Sequence, residues 1–238
     1  VNLGSYQSQS AGADTIEIWV ENPNSVADSI FIDDTLRTII YGCPKLLSGD
    51  IPIGNGGDFA TIEEAVETIK LCPPQGDIRL ILSTGTHIVK DSVKLMNLKQ
   101  YMGDYHLTIT SSTGNPDDVI IKGMPYLRGS IITIDGTDNI TLEGITLEPK
   151  DNRWRGITIQ NECRNILINK CKIIQKDSTG TAICAIYVKG NTGKLVNDLT
   201  ITNNTIIGGA NGIYISAGAS TTVRGNNVRV DSNLLMGQ

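Results

Sequence analysis

The feature that most constrains this chain is a repeat. Four apolar segments, SIITID, GITIQN, AIYVKG and GIYISA, align on Ile132, Ile157, Ile186 and Ile213, at steps of 25, 29 and 27 residues. A second set, NITLEGITLE, NILINKCKII, DLTITNNTII and TTVRGNNVRV, interleaves with the first. It aligns on Leu142, Ile168, Ile201 and Val223, at steps of 26, 33 and 22. Two strand series with one common period describe a coil that climbs one rung per turn, each rung burying its apolar face against its neighbours. A β-sandwich with one helix accounts for the strands but not for the period.

The columns of such a coil can be read directly. Leu142, Ile168, Ile201 and Val223 stack inward, as do Leu147, Ile173, Ile206 and Val228. Between them, Ile145, Cys171, Asn204 and Asn226 mark a bend. Asn204 over Asn226 is expected to hydrogen-bond along the ladder and satisfy turn carbonyls. Thr133, Thr158, Tyr187 and Tyr214 point outward, so Tyr187 and Tyr214 form an aromatic ladder about 4.8 Å per step. That ladder serves as a sugar platform, as packing against a neighbouring subunit, or as cross-strand stabilisation alone.

Ahead of the repeat stands GNGGDFATIEEAVETIK, residues 54–70, a glycine-rich turn and a short amphipathic helix. Thr61 and Glu64 form a capping box. Ile62, Ala65, Val66 and Ile69 make one apolar face, and Pro73-Pro74 stops the helix, placing it at 61–70. Residues 1–50 differ: TIEIWV and SIFIDDTLRTIIYG read as strands broken at Asn22-Pro23-Asn24. They are too few for an independent sheet core, and so form a β arm or the remnant of a preceding β domain.

These marks together, the GGDFATIEEAVETIK opening, the N-I-x-I-x-x-x-x-I rungs and the Asn pair, resemble the right-handed parallel β-helix of the pectate-lyase-like superfamily over residues 53–230. The resemblance implies an all-β fold: a right-handed parallel β-helix (solenoid) over 51–238, with an N-terminal capping α-helix that plugs the first rung and a small N-terminal β arm. The opening and the arm are similar to those of phage tail spike, fibre and appendage domains, which implies side-by-side homotrimers and other assembly subunits as partners.

Composition excludes some functions. The net charge is −5 with no basic stripe, which argues against nucleic acid as a partner. No run approaches the roughly 18 apolar residues of a membrane span. The chain opens on Val1, as expected of a processed protein or a fragment, from which a targeting signal could have been lost. Five cysteines, at 43, 72, 163, 171 and 184, include no C-x-x-C pair. Cys163, Cys171 and Cys184 lie in or beside apolar strands and read as small buried fillers.

The segment LEPKDNRWRG holds the densest chemistry: Glu148, Lys150, Asp151, Arg153, Trp154 and Arg155. It reads as a solvated connection projecting from the coil, with Trp154 covering its flank. A second reading is a sugar or uronate contact. A third gives Lys150, Arg153 and Arg155 as weak catalytic candidates, because a lyase needs a cationic base beside carboxylates that hold calcium. The W-I-D-H element of many pectate lyases, the paired Gln and Asp rungs of pectin esterases and the Asp-rich polygalacturonase pattern are absent. Asp135 and Asp138 belong to a turn, IDGTDN. His87 and His106 have no nucleophile pattern beside them, and the sequons at Asn139 and Asn203 read as turn chemistry.

The expected function is a non-catalytic, carbohydrate-contacting structural module of a virion tail or surface assembly. It needs no cofactor and works in the virion or at a cell surface. The alternative is a secreted polysaccharide lyase or related enzyme acting on acidic plant or algal glycans, with calcium as its metal. A bacterial adhesin is a third reading.

Overall fold

The computed structural model describes residues 12–19, 35–43, 47–124, 129–149, 154–176, 184–191, 194–216 and 226–237. The protein divides into two compact units, residues 1–46 and 47–238. In the first, Gly12–Trp19 pairs antiparallel with Thr35–Gly42, and Arg37 Nε meets Glu17 Oε1 at 3.2 Å. The expected turn at residues 22–24 lies outside the described residues.

The second unit is an all-β parallel solenoid of about six turns. Sheet I has seven strands: Gly49–Ile53, Ile78–Leu82, Leu107–Ser111, Ile140–Glu143, Cys163–Asn169, Val196–Thr202 and Val228–Asp231. Sheet II has six: Gly85–Val89, Val119–Gly123, Thr146–Glu148, Lys172–Ile174, Thr205–Ile207 and Leu234–Met236. Sheet III has five: Val93–Met96, Gly129–Asp135, Trp154–Gln160, Cys184–Lys189 and Asn211–Ser216. No helix among the described residues is long and apolar enough to cross a membrane.

The helix Ile62–Leu71 follows the first strand of sheet I, where the next rungs have their strands of sheets II and III. It is set by local chemistry. Thr61 Oγ1 accepts from Glu64 N–H at 3.1 Å, and the Glu64 carboxylate reaches back to Ala60 N–H at 3.0 Å. Ile62, Ala65, Val66 and Ile69 are buried in the same apolar cluster as the coil interior, and the helix packs against Val93–Met96. The first rung is thus closed by a greasy helix face instead of two more strands.

The interior is a set of in-register columns. Ile51, Leu80, Ile109, Leu142, Ile168, Ile201 and Val230 form one in sheet I. Ile121, Leu147, Ile173, Ile206 and Leu235 form another in sheet II. In sheet III, Ile132, Ile157, Ile186 and Ile213 stack as the repeat predicted. The last rung departs from the sequence reading. Val230, not Val223, stacks on Ile201, and Val223 lies outside the described residues. Val228 stacks on Leu199 instead of Ile206.

The reason lies at the corners. Each strand of sheet I from the fourth rung onward carries a pair of left-handed residues. Asn139 and Asn227 just before the strand, and Asn165 and Asp198 as its third residue, have φ 50–59°, and Gly144, Lys170, Asn203 and Ser232 leave it at φ 51–62°. The two are five residues apart each time (139 to 144, 165 to 170, 198 to 203, 227 to 232). Both corners welcome Asn, which tolerates this region better than most side groups. Asn226-Asn227 therefore imitates Asn203-Asn204 although it belongs to the entering corner. The bend residue above Asn204 is Asn233, and Asn226 instead donates its backbone N–H to Asn197 Oδ1 at 2.9 Å.

At that bend the expected ladder exists with the corrected partner. Asn204 is buried; its Oδ1 accepts from Cys171 N–H at 2.9 Å, and its Nδ2 donates to Ile168 O at 3.0 Å and Asn233 Oδ1 at 2.9 Å. Asn233 Nδ2 in turn donates to Ile201 O at 2.9 Å. The sequon asparagines are also committed: Asn139 Nδ2 donates to Asp104 O at 3.0 Å, and Asn203 Nδ2 to Asn169 Oδ1 at 3.0 Å.

Cys163, Cys171 and Cys184 are free and buried, whereas Cys43 and Cys72 are disulfide-bonded, which nothing in the cysteine spacing had indicated. Burial pushes the Cys163 thiol up to about 11 and that of Cys171 up to about 12.

Two expectations follow from this packing. Asn204→Ala strands the Cys171 N–H and the Ile168 carbonyl, and should cost about 2–4 kcal/mol in urea unfolding, whereas Asn203→Gly at an exposed left-handed position should cost under about 1 kcal/mol. Equal losses would contradict the ladder. The three free thiols should resist a thiol reagent at neutral pH and react once the protein is unfolded in urea; labelling of Cys171 at the same rate without urea would contradict its burial.

Candidate functional site

Chemistry-bearing side groups gather on the outer face of sheet III. Alternation in these strands sends Ile132, Ile157, Ile186 and their column inward and the residues between them outward. Register then lines up Lys94, Thr133, Thr158, Tyr187 and Tyr214 in one outer column, and Met96, Asp135, Gln160, Lys189 and Ser216 in the next. The face is hydroxyl-rich near its base: Ser92 Oγ meets Thr133 Oγ1 at 2.9 Å, and Ser130 Oγ bonds Thr158 Oγ1.

Higher up it becomes aromatic and cationic. The rings of Tyr187 and Tyr214 stack with centroids 5.3 Å apart and planes 9° from parallel. Arg155 Cζ lies 3.8 Å from the centroid of the Tyr187 ring. The result is a layered stack of guanidinium, phenol and phenol that climbs along the coil. Tyr214 is 42% exposed. Ring pairs of this kind contribute about 0.5–1.5 kcal/mol and exposed cation–π contacts about 0.5–1 kcal/mol.

Beside this stack, where sheet III turns toward sheet I, lies a polar cleft of about 400 Å³. Asp135, 8% exposed, forms part of its wall and accepts from Gln160 Nε2 at 2.7 Å and from Asn161 Nδ2. Asn191 Nδ2 donates to Asn161 Oδ1 at 2.7 Å, which extends the amide series up one rung. Asp138 on the opposite side of the turn pairs with Lys99 Nζ at 2.8 Å and accepts from Arg164 N–H at 2.9 Å. The Asp138 hydrogen bond holds the Lys99 ammonium above its ordinary pKa. Both carboxylates are thus engaged by neighbouring rungs, which the turn reading did not include, and Asp135 ends a strand in register with Gln160. Among the described residues no group of three or more His, Cys, Asp or Glu residues is arranged to hold a metal ion.

The structure redistributes the sequence candidates. Lys150 and Arg153 lie outside the described residues. Trp154 and Arg155 open a strand of sheet III, paired with Gly129 and Ser130, and are not part of a projecting connection. Glu148 sits on sheet II in an ion pair with Lys122 at 2.9 Å. His87 is half-buried with Nε2 2.8 Å from Ser83 O, and His106 Nε2 lies 2.8 Å from Thr141 Oγ1. Burial pushes the His106 pKa down. Sequence reasoning missed two elements. One is Arg155 as the partner of Tyr187. The other is the Asp135–Gln160 pair, although the same 25-residue step that aligns Ile132 with Ile157 aligns these two.

Parallel strands, three sheets, inward apolar columns and an asparagine bend define a parallel β-helix with one decorated flank. A comparison with protein families agrees: the family described as "Right handed beta helix region" matches residues 83–232, more than half of the protein, and the chain belongs to it. No curated protein matches it. Among solved structures, the pectin methylesterase from Aspergillus niger in penultimately deglycosylated form is similar at 12% identity, covering 82% of this protein and 68% of that one, with a TM-score of 0.41. The deglycosylated form of the same enzyme gives 12% identity, coverage of 79% and 69%, and a TM-score of 0.37.

Proposed function

We propose that this protein is a non-catalytic, carbohydrate-contacting β-helix module of a virion tail or a surface assembly. The observation that carries the reading is the Arg155–Tyr187–Tyr214 stack on the outside of sheet III. A sugar ring presents axial C–H groups that rest on an aromatic face, and hydroxyls that need planar donors and acceptors at its edge. Arg155 and Tyr214 cover the two faces of Tyr187, so the outer face of Tyr214 and the edge of the Tyr187 ring supply the first, and Gln160, Lys189 and the hydroxyl column supply the second. Because neighbouring rungs hydrogen-bond along the whole strand, the platform is rigid before ligand arrives, which lowers the entropic cost of binding an extended oligosaccharide. Arg155 and Lys189 favour acidic glycans of cell-surface, plant or algal origin.

Several features support the non-catalytic reading over a polysaccharide lyase. Asp135 and Asp138 are tied into rung-to-rung hydrogen bonds, and the calcium such a lyase would use finds no cluster of acidic ligands among the described residues. A virion or extracellular location accords with the disulfide-bonded Cys43 and Cys72. Assembly into homotrimers along the coil flanks, with other subunits at the arm, completes the reading.

A glycan array followed by calorimetry on the bound oligosaccharide tests it. Tyr214→Ala should weaken binding by about fivefold or more, as expected for loss of about 1 kcal/mol of ring contact, and Tyr187→Ala should weaken it by removing the ring on which Tyr214 stacks. Wild-type affinity in both variants would remove the stack from the site. Release of unsaturated product from polygalacturonate or alginate with calcium would favour the lyase instead.

A further inference from the structure

The sequence contains two Asn-Gly steps, Asn55-Gly56 and Asn211-Gly212, and the fold treats them oppositely. Asn-Gly is the dipeptide in which the backbone N–H after an asparagine can best reach that asparagine's own amide carbon, because glycine offers no Cβ to block the approach. Asn211 lies in a parallel strand of sheet III, in register with Cys184, and Gly212 is buried. The Asn211 amide also hydrogen-bonds Cys184. Asn55 and Gly56 sit at an exposed turn on the rim of a cavity of about 360 Å³. Neither the Asn55 amide nor the Gly56 N–H is engaged by any described hydrogen bond, and Gly56 is left-handed at φ 76°.

We propose that Asn55 is a self-modifying site, converting through a succinimide to aspartate and isoaspartate in the folded protein, while Asn211 is held inert. The Gly56 nitrogen attacks the Asn55 amide carbon, Cγ. A new N–C bond forms, the Cγ–Nδ2 bond breaks, and ammonia leaves carrying the proton from the Gly56 N–H. Water, which reaches this exposed turn, then opens the ring at either carbonyl. No oxidant, enzyme or cofactor takes part. One ring-opening route restores a normal backbone with a new carboxylate. The other routes the backbone through Cβ and Cγ of residue 55 and adds one backbone atom.

The added atom falls between two fastened residues, Gly54 and Gly57, although Gly56 itself has open space around it. Gly57 N–H donates to Gly54 O at 3.0 Å, Gly54 N–H to Phe59 O at 2.8 Å and Asp58 N–H to Pro52 O at 2.8 Å, so both sides of the turn are fastened to the first strand. A Cβ at Gly57 would lie 2.5 Å from Pro52 O, and one at Gly54 2.1 Å from Ser83 Oγ. This turn joins Gly49–Ile53 to the capping helix, so lengthening it loosens the closure of the first rung. The modification therefore ages the cap.

The test is to incubate the whole protein in mildly alkaline buffer, native and in urea, and follow both sites by peptide mass mapping and isoaspartate methylation. In the native protein the Asn55 peptide should gain the mass of amide-to-acid conversion and the Asn211 peptide should not; in urea both should convert. Native Asn55 staying intact while it converts in urea overturns the proposal, as does native Asn211 converting at the rate of Asn55. Aged wild-type protein should unfold at lower temperature than fresh protein, and Asn55→Gln, whose extra methylene makes ring formation far slower, should not. Equal ageing of the two removes the link to the cap.

Discussion

In a coil of this kind every strand finds its hydrogen-bond partners in the rung above and the rung below. This single requirement orders the rest. It forces in-register stacking, so that one inward Ile selects another one period later. It also forces a solution at the first rung, where, among the described residues, sheets II and III have no strand beneath Gly85–Val89 and Val93–Met96. The helix Ile62–Leu71 is that solution: its own backbone is satisfied internally, and its apolar face covers the column ends that strands would otherwise cover. In the highest described rung Val228, Val230 and Leu235, whose partners one rung below face inward, are 40–45% exposed, in contrast to the column ends that the helix covers.

The same stacking builds the decorated flank. Residues that alternate outward are delivered in rows by the backbone, so two tyrosines one rung apart must meet face to face. A row of this kind is preorganised because the strand spacing, not the rings themselves, sets its pitch. Arg155 joins the row from one rung below, its long side group reaching the Tyr187 ring. The row of Asp135 and Gln160 obeys the same rule, with amide and carboxylate pairing along the coil axis.

How much of this could be read from the residues depended on whether a rule was local or periodic. The capping box and the Ile62–Ile69 stripe are local, and the helix lies within one residue of its expected span. The columns through Ile201 and Ile206 were periodic and legible. The final rung was not, because a left-handed corner accepts Gly, Lys, Asn or Ser alike, and Asn226-Asn227 points to the wrong corner. The Tyr187–Tyr214 contact was legible from register alone. The Arg155 contact was not, since Arg155 is in register with Ser130 and only its length brings it to the next rung. Charge density drew attention to residues 148–155 as one loop, whereas the backbone places Glu148 on sheet II and Trp154 and Arg155 on sheet III.

The five-residue interval between the two corners of sheet I has a consequence for how a protein of this design varies. From Leu142 to Leu147, Ile168 to Ile173, Ile201 to Ile206 and Val230 to Leu235 the count is likewise constant at five. From the fourth rung onward the irregularity of the repeat is therefore exported to the passages into and out of sheet III: on the way in, Leu147 to Ile157 spans ten residues, Ile173 to Ile186 thirteen and Ile206 to Ile213 seven. One edge of the coil works as a fixed gauge and the opposite edge as free margin. Evolution, or a protein engineer, can lengthen, shorten or rewrite that margin beside the tyrosine row while the gauge keeps the remaining rungs in step.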